Sequence, residues 1–151
     1  MSFHPSGAPS PYGAGSLYAN VAGPWYRYQL AIPEAGSYSV HAWWTQYSSR
    51  LTNVPIEIQH AGGTATVRVD QKTNGGKWNL LVANKSFAVG TTGYVRLSNS
   101  GVLSSQTVAA DAVKFESTLD YEPPSVPANL HVTGLTDRVP WGLWITLDLS
   151  A

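Results

Sequence analysis

The sequence predicts an all-β fold, an antiparallel β-sandwich of jelly-roll type. Short segments of alternating apolar and polar residues recur between residues 25 and 116, and this period of two places successive side chains on opposite faces of a strand. Glycine- and proline-containing turns separate the segments at regular spacing. No stretch has the amphipathic pattern of a helix, so a helical layer is not expected.

The strands are expected to begin at residue 25. Residues 1–24 are rich in proline, glycine, serine and alanine, which predicts an irregular lead-in that Tyr12, Leu17 and Tyr18 anchor to the sandwich edge. The sandwich module follows over residues 25–117. Its predicted strands cover residues 25–32, 37–46, 53–60, 64–70, 93–98 and 107–116, with one or two more within residues 79–89.

Prolines mark a boundary after the sandwich. Pro123, Pro124 and Pro127 make residues 118–128 a stiff, extended linker. Residues 129–151 supply at most two strands, too few for a stable domain. They must dock on the sandwich, swap with another chain, or stay loosely ordered.

Charge excludes several classes of function. The 151 residues carry nine basic and nine acidic side chains, so a nucleic-acid partner is not expected. Charged residues make up 12% of the chain, about half the usual globular share of roughly 25%. The surface is therefore dominated by neutral polar groups, as is common in extracellular β-modules.

The chain shows no targeting or membrane segment. Residues 1–16 lack the basic and apolar regions of a signal peptide, and no apolar run reaches the roughly 18 residues of a membrane helix. We therefore expect no membrane partner, and we expect an exported form to be part of a longer protein.

Catalytic patterns are also missing from the sequence. There is no cysteine, no Ser/His/Asp arrangement, no paired-carboxylate motif and no His-x-x-x-His spacing. Gly75-Gly76-Lys77 lacks the other residues of a phosphate loop. We expect a protein that is not an enzyme and needs no cofactor.

A series of motifs occurs in a recognisable order: AGSYSV at 35–40, WW at 43–44, SRLTNVP at 49–55, GGKW at 75–78 and ADAVKF at 110–115. Over about residues 12–116 the chain resembles the golvesin and xanthan-lyase type of carbohydrate-binding-like β-sandwich domain. Family members usually begin with one more strand, so the resemblance implies that the first strand is missing here. The Trp78 motif also departs from the family pattern, because it continues as WNLLVAN.

The segment PPSVPANLHVTGLTD at 123–137 is similar to the opening of a fibronectin type III domain. The expected strand with a core tryptophan does not follow, so residues 129–151 resemble an incomplete fibronectin type III-like stub.

The golvesin-type resemblance implies a non-catalytic carbohydrate-binding accessory module of a secreted, extracellular polysaccharide-degrading enzyme. Its partners would be a polysaccharide or oligosaccharide and the catalytic domain of the parent enzyme. The alternative is a structural spacer or protein-interaction sandwich that packs on a neighbouring catalytic domain. A small hydrolase with unrecognised catalytic groups is a third, weaker interpretation.

The strand at 37–46 holds the sharpest candidates for ligand contact. Alternation places Trp44 in the core and Trp43 and His41 on the opposite face. An exposed indole is a flat apolar surface on which a sugar ring can stack, and imidazole can hydrogen-bond a hydroxyl group. Burial of Trp43 under a loop or sheet, and a surface role for His41, are the structural alternatives.

The loop that follows adds Tyr47, Arg50 and Asn53. Arginine binds carboxylates through two parallel hydrogen bonds, which suits an acidic polysaccharide with uronate or pyruvyl groups. Alternatively, Arg50 and Asn53 hold the loop together through backbone carbonyls, and we favour that role for Asn53.

Three further residues complete the candidate set. Gln71 and Trp78 flank the Asn74-Gly75-Gly76 loop and are candidate ligand contacts. Trp78 is either a binding platform or, as we favour, a packing residue. Asp111 lies in register with core residues, so its carboxylate needs a partner. A structural Ca²⁺ is one alternative, although the other oxygen ligands are not evident. A bond to arginine or to a backbone N–H is the interpretation that we favour.

Overall fold

The computed structural model describes residues 3–100 and 105–118, together with the backbone of 138–139 and 142–143. The chain divides into two compact units, Met1–Leu119 and Asp120–Ala151. All described regular structure is β, as predicted. The strands are β1 (His4–Ser6), β2 (Ser16–Ala19), β3 (Trp25–Gln29), β4 (Gly36–Trp43), β5 (Val54–His60), β6 (Gly63–Val69), β7 (Asn79–Phe87), β8 (Tyr94–Ser98), β9 (Val108–Ala110), β10 (Ala112–Ser117), β11 (Arg138–Val139) and β12 (Gly142–Leu143).

The first unit is an antiparallel β-sandwich. One sheet has the order β3-β8-β5-β6. Facing it are two three-stranded sheets, β10-β4-β7 and β1-β2-β9, which share one stretch of chain because Asp111 alone separates β9 from β10. The pairs between these strands are antiparallel. In the second unit β11 pairs with β12, also antiparallel.

The core lies between the sheets and follows the predicted alternation. Along β4, Tyr38, Val40 and Ala42 are buried, and Trp44 continues the same side. On the facing sheet Ile56 lies opposite Leu97, and Ile58 lies opposite Val95. Burial of such aliphatic side chains contributes roughly 1.5–3 kcal/mol each, which is the main force that holds the sheets together.

Residues 3–24, which the sequence predicts to be irregular, include two short strands. These strands are β1 and β2, and β2 pairs with β9 through Leu17↔Ala110, Tyr18↔Ala109 and Ala19↔Val108. This pairing joins residues that are far apart in the sequence, so local alternation carried little sign of it. Ser16 and Ala19 are buried as a result.

Other boundaries also differ from the prediction. The strand predicted at 107–116 is interrupted at Asp111, where its pairing changes from β2 to β4. Residues 79–87 form one strand whose register against β4 shifts twice, and Asn84 has a positive φ of 53°. These irregularities account for the poor period of that segment.

The linker predicted at 118–128 lies outside the described residues beyond Thr118, and so does the stub predicted at 129–151 apart from β11 and β12. None of the described residues forms a helix long and apolar enough to cross a membrane.

Candidate functional site

A cavity of about 340 Å³ opens beside Arg50 at one end of the sandwich. The loop after β4 forms one wall, and it is fastened to the start of β9 because Thr107 N donates to the Ser49 carbonyl at 2.8 Å and Leu51 N donates to the Thr107 carbonyl at 2.9 Å. The end of β1 and the middle of β2 form the opposite wall. The lining residues are Ser6, Gly7, Ala8, Tyr18, Tyr47, Ser49, Arg50 and Thr107.

Arg50 lies at the base of this cavity and is only 2% exposed. Its Nε donates to the Thr45 carbonyl at 3.2 Å, and its Nη1 donates to Thr107 Oγ1 at 2.9 Å. Its Nη2 donates to Ser6 Oγ at 3.1 Å and to Thr45 Oγ1 at 3.2 Å. All of these acceptors are neutral. Burial lowers the pKa of the guanidinium, and the nearby Tyr18 opposes that shift.

Tyr47 lies beside Arg50 and is 55% exposed. The turn that places the two residues together is closed by a 3.0 Å hydrogen bond from Arg50 N to the Tyr47 carbonyl. The cavity therefore combines an exposed aromatic ring, several hydroxyl groups and a buried cation.

A second group of predicted residues lies on the outer face of β4 and does not line the cavity. Trp43 and Trp78 meet edge to face with ring centroids 5.6 Å apart, and Tyr12 packs against both at 5.5 and 4.9 Å. Lys114 Nζ lies 5.5 Å from the Trp78 ring centroid. We call Tyr12, Trp43 and Trp78 the ring cluster. Trp43 and Trp78 are each partly buried by their neighbours, so neither indole is the open platform that was expected of Trp43.

His41 lies two residues before Trp43 on this face, opposite Lys114 in the register of β4 and β10. Its side chain is 17% exposed, and Nδ1 lies 4.0 Å from Glu116 Oε2, too far for a hydrogen bond. His41 is therefore near the ring cluster but not at the cavity.

The segment 6–12 connects the cavity with the ring cluster. Ser6 bonds Arg50 in the cavity, while four residues later the Ser10 carbonyl accepts a 3.0 Å bond from Trp43 Nε1. Tyr12 then packs in the ring cluster, and its backbone N–H donates to Asp111 Oδ2 at 3.2 Å. Sequence reasoning missed Ser6 and Ser10 because a segment without a period gives no sign of where its side chains point. The anchoring expected of Tyr12 is what its ring contacts show.

Two predicted contact residues take other positions. Gln71 is 1% exposed, and its side-chain amide bonds both backbone groups of Ala109, donating to the carbonyl at 2.9 Å and accepting from N–H at 2.8 Å. This amide pairs with the Ala109 backbone inside the sandwich, whereas the sequence predicted a ligand contact at Gln71. Asn53 is exposed just before β5, and its carbonyl accepts a bond from Arg68 Nη1 at 3.4 Å.

Asp111 interrupts the strand between β9 and β10 and accepts the Tyr12 backbone N–H, so the backbone alternative describes its contact. Burial raises the pKa of the Asp111 carboxyl, and the Tyr12 hydrogen bond opposes part of that shift. Within the described residues, no group of three or more histidine, aspartate or glutamate side chains is arranged to hold a metal ion.

The fold and these motifs together match a known family. A family model for the Golvesin C-terminal domain matches residues 6–117. The chain belongs to this family. The match includes Ser6 and the rest of segment 6–12, so the cavity and the ring cluster both lie within the golvesin-type domain.

The golvesin-type domain is also similar to part of larger enzymes. It is 35% identical over 108 residues to a xanthan lyase of Bacillus sp. (strain GL1), a match that covers 69% of this chain and 12% of that protein. The solved structure of a Paenibacillus xanthan lyase matches 77% of this chain with a TM-score of 0.71 and 33% identity, over 11% of that protein. The chain thus spans about a tenth of the length of these relatives.

A looser likeness is to the carbohydrate-binding module CBM36, solved in complex with calcium and xylotriose. The match covers 77% of this chain and 93% of that one, with a TM-score of 0.42 and 14% identity.

Proposed function

We propose that this golvesin-type domain is a non-catalytic carbohydrate-binding accessory module of a secreted polysaccharide-degrading enzyme, and that the cavity beside Arg50 is its binding site. The observation that carries the proposal is the combination in one cavity of the exposed Tyr47 ring with the hydroxyl groups of Ser6, Ser49 and Thr107. An apolar ring face packs against the C–H face of a sugar, while hydroxyl groups exchange hydrogen bonds with sugar hydroxyls.

The size of the cavity indicates how much of a saccharide it would hold. Its volume of about 340 Å³ is at the lower end of the roughly 300–1,000 Å³ of small-molecule sites. A short piece or a branch of a polysaccharide fits such a volume better than a long stretch of main chain does.

The relatives supply the setting. Both similar enzymes are xanthan lyases, and the matched part is a small fraction of each. A module of this kind would hold a catalytic domain of the same protein near an extracellular polysaccharide. The ring cluster would support the site indirectly, because Trp43 bonds Ser10 in the segment that carries Ser6.

The test is affinity electrophoresis of the protein in gels that contain xanthan, pectin or cellulose. A binder is retarded, and Tyr47→Ala should abolish the retardation. Trp25→Ala is the matched control, because Trp25 is 56% exposed and belongs to the opposite sheet. If no polysaccharide retards the wild-type protein, the domain is a structural spacer. If Trp25→Ala removes binding and Tyr47→Ala does not, the site lies on the other sheet.

A further inference from the structure

Arg50 is a buried cation that has no anionic partner among the described residues. The carboxylates near basic side chains in that part of the chain are Glu57, beside Arg96, and Glu116, beside Lys114 and His41. A buried charge is costly unless it is paired with an opposite charge and hydrogen-bonded. Arg50 has the hydrogen bonds but lacks the opposite charge.

The other arginines in the described residues differ from Arg50. Arg96 bonds the carboxylate of Glu57, and Arg27 Cζ lies over the Tyr94 ring, 4.1 Å from its centroid. Arg68 is exposed, so water solvates its charge. Arg50 alone among these four combines near-complete burial with neutral partners, and it borders a cavity large enough for a ligand.

The unused hydrogen-bonding groups of Arg50 and Ser6 determine which kind of ligand atom can bind in the cavity. A guanidinium has five N–H groups. Four of those on Arg50 bond Thr45, Thr107 and Ser6, which leaves one N–H on Nη1. Ser6 Oγ accepts from both Arg50 Nη2 and Ala8 N, the latter at 3.2 Å, so its remaining capacity is its own O–H as a donor.

We propose that the cavity selects a saccharide residue that carries a carboxylate, with Arg50 Nη1 and Ser6 Oγ donating to the carboxylate oxygens. This inference rests on the proposed function. Two spare donors, one of them on a buried cation, suit an anionic acceptor better than a neutral sugar hydroxyl. A hydroxyl group would also need an acceptor for its own O–H. The cavity is larger than a free inorganic anion requires, and Tyr47 adds an apolar surface, so the carboxylate is expected on a sugar ring. A uronate and a pyruvyl ketal both supply that chemistry.

The decisive experiment changes the ligand and leaves the protein intact. Wild-type protein is run in gels of xanthan and of pectin, each in native form and after reduction of its carboxyl groups to alcohols. Retardation by native polysaccharide that falls at least tenfold in apparent affinity after carboxyl reduction supports the inference. Equal retardation by native and reduced forms overturns it while the proposed function stands. Retardation by neither form overturns both. Xanthan stripped of its pyruvyl groups by mild acid then distinguishes the two carboxylate sources.

Variants test the two donors separately. Ser6→Ala removes a partly exposed hydroxyl and should weaken binding of native polysaccharide several-fold more than it weakens binding of the reduced form. Arg50→Gln should abolish the preference for the native form, whereas the exposed Arg68→Gln should preserve it. Arg50→Gln also removes buried hydrogen bonds and can fail to fold. In that case Ser6→Ala alone tests the preference for the native form. A Ser6→Ala protein that keeps full affinity and preference would exclude Ser6 as a donor and overturn the proposed geometry.

Discussion

Trp43 Nε1 donates a 3.0 Å hydrogen bond to the carbonyl oxygen of Ser10, which ties segment 6–12 to the end of β4. The same segment carries Ser6, whose hydroxyl contacts Arg50 in the cavity. The tryptophan that the sequence marks as a ligand contact is thus connected to the cavity through four residues of chain. Its influence on binding would come from positioning that chain.

Trp43→Phe tests this positioning role. The variant keeps an aromatic ring in the cluster but removes the donor to Ser10, so we expect a loss of about 0.5–1.5 kcal/mol in the free energy of unfolding. Affinity for polysaccharide should fall modestly, because Ser6 is less firmly held. Urea unfolding and affinity electrophoresis measure the two effects, with Trp25→Phe as the control. A stable Trp43→Phe protein that has lost all binding would instead indicate direct contact through the indole.

Gly75→Ala tests how closely the loop before β7 approaches the end of β4. A Cβ at Gly75 would lie 2.5 Å from Gln46 N and 2.6 Å from Gln46 Cβ, and backbone cannot move aside cheaply. We expect a loss of about 1–3 kcal/mol in unfolding free energy, together with altered tryptophan fluorescence because Trp78 follows in this loop. Gly15→Ala is the matched control, since a Cβ there meets nothing within 4 Å. Equal stability of the two variants would contradict the close approach.

The strands of the sandwich could be predicted because their alternation is a local property of the sequence. Along β4 and β5 the buried positions follow the period of two, and Tyr38, Val40, Ile56 and Ile58 lie where it places them. The strand β2 was missed because its partner β9 lies about ninety residues further along, and a four-residue strand next to glycines shows little period.

The candidate site was predicted only in part for the same reason. Tyr47 and Arg50 are close in sequence, so one loop indicated both. Ser6 and Thr107 reach Arg50 across 44 and 57 residues, and only the folded chain brings them together. The inward direction of the Gln71 amide, toward Ala109, could not be predicted because a polar residue at a loop edge gives no sign of it.

Gln71→Leu tests the internal role of this amide. The substitution keeps most of the volume but leaves the N–H and carbonyl of Ala109 without partners in the core. At roughly 1–3 kcal/mol for each unsatisfied group, we expect a loss of about 2–6 kcal/mol in unfolding free energy. Gln29→Leu should cost far less, because its amide donates to the Thr91 carbonyl at an exposed site and to the Gly93 carbonyl at a partly buried one, so water can replace much of what is lost. A Gln71→Leu protein of normal stability but without polysaccharide binding would restore Gln71 as a ligand contact.

Asp111→Asn tests the pH dependence that burial imposes on this carboxyl. Burial, the larger cause, raises the pKa of Asp111 above its ordinary value of 3.8, and the Tyr12 hydrogen bond offsets only part of the shift. The folded protein therefore binds this proton more tightly than the unfolded chain does. The contribution of Asp111 to stability accordingly grows as pH falls through the folded pKa, and it is complete below the unfolded pKa.

Asparagine is neutral throughout, and its side-chain oxygen can still accept the Tyr12 N–H. We expect Asp111→Asn to match or exceed wild-type stability at neutral pH and the difference to shrink as the pH approaches 3.8. Urea unfolding of both proteins across this pH range measures the difference. A variant that is less stable at neutral pH, with a deficit that disappears in acid, would show that the ionised carboxylate is stabilised by the fold, contrary to this assignment.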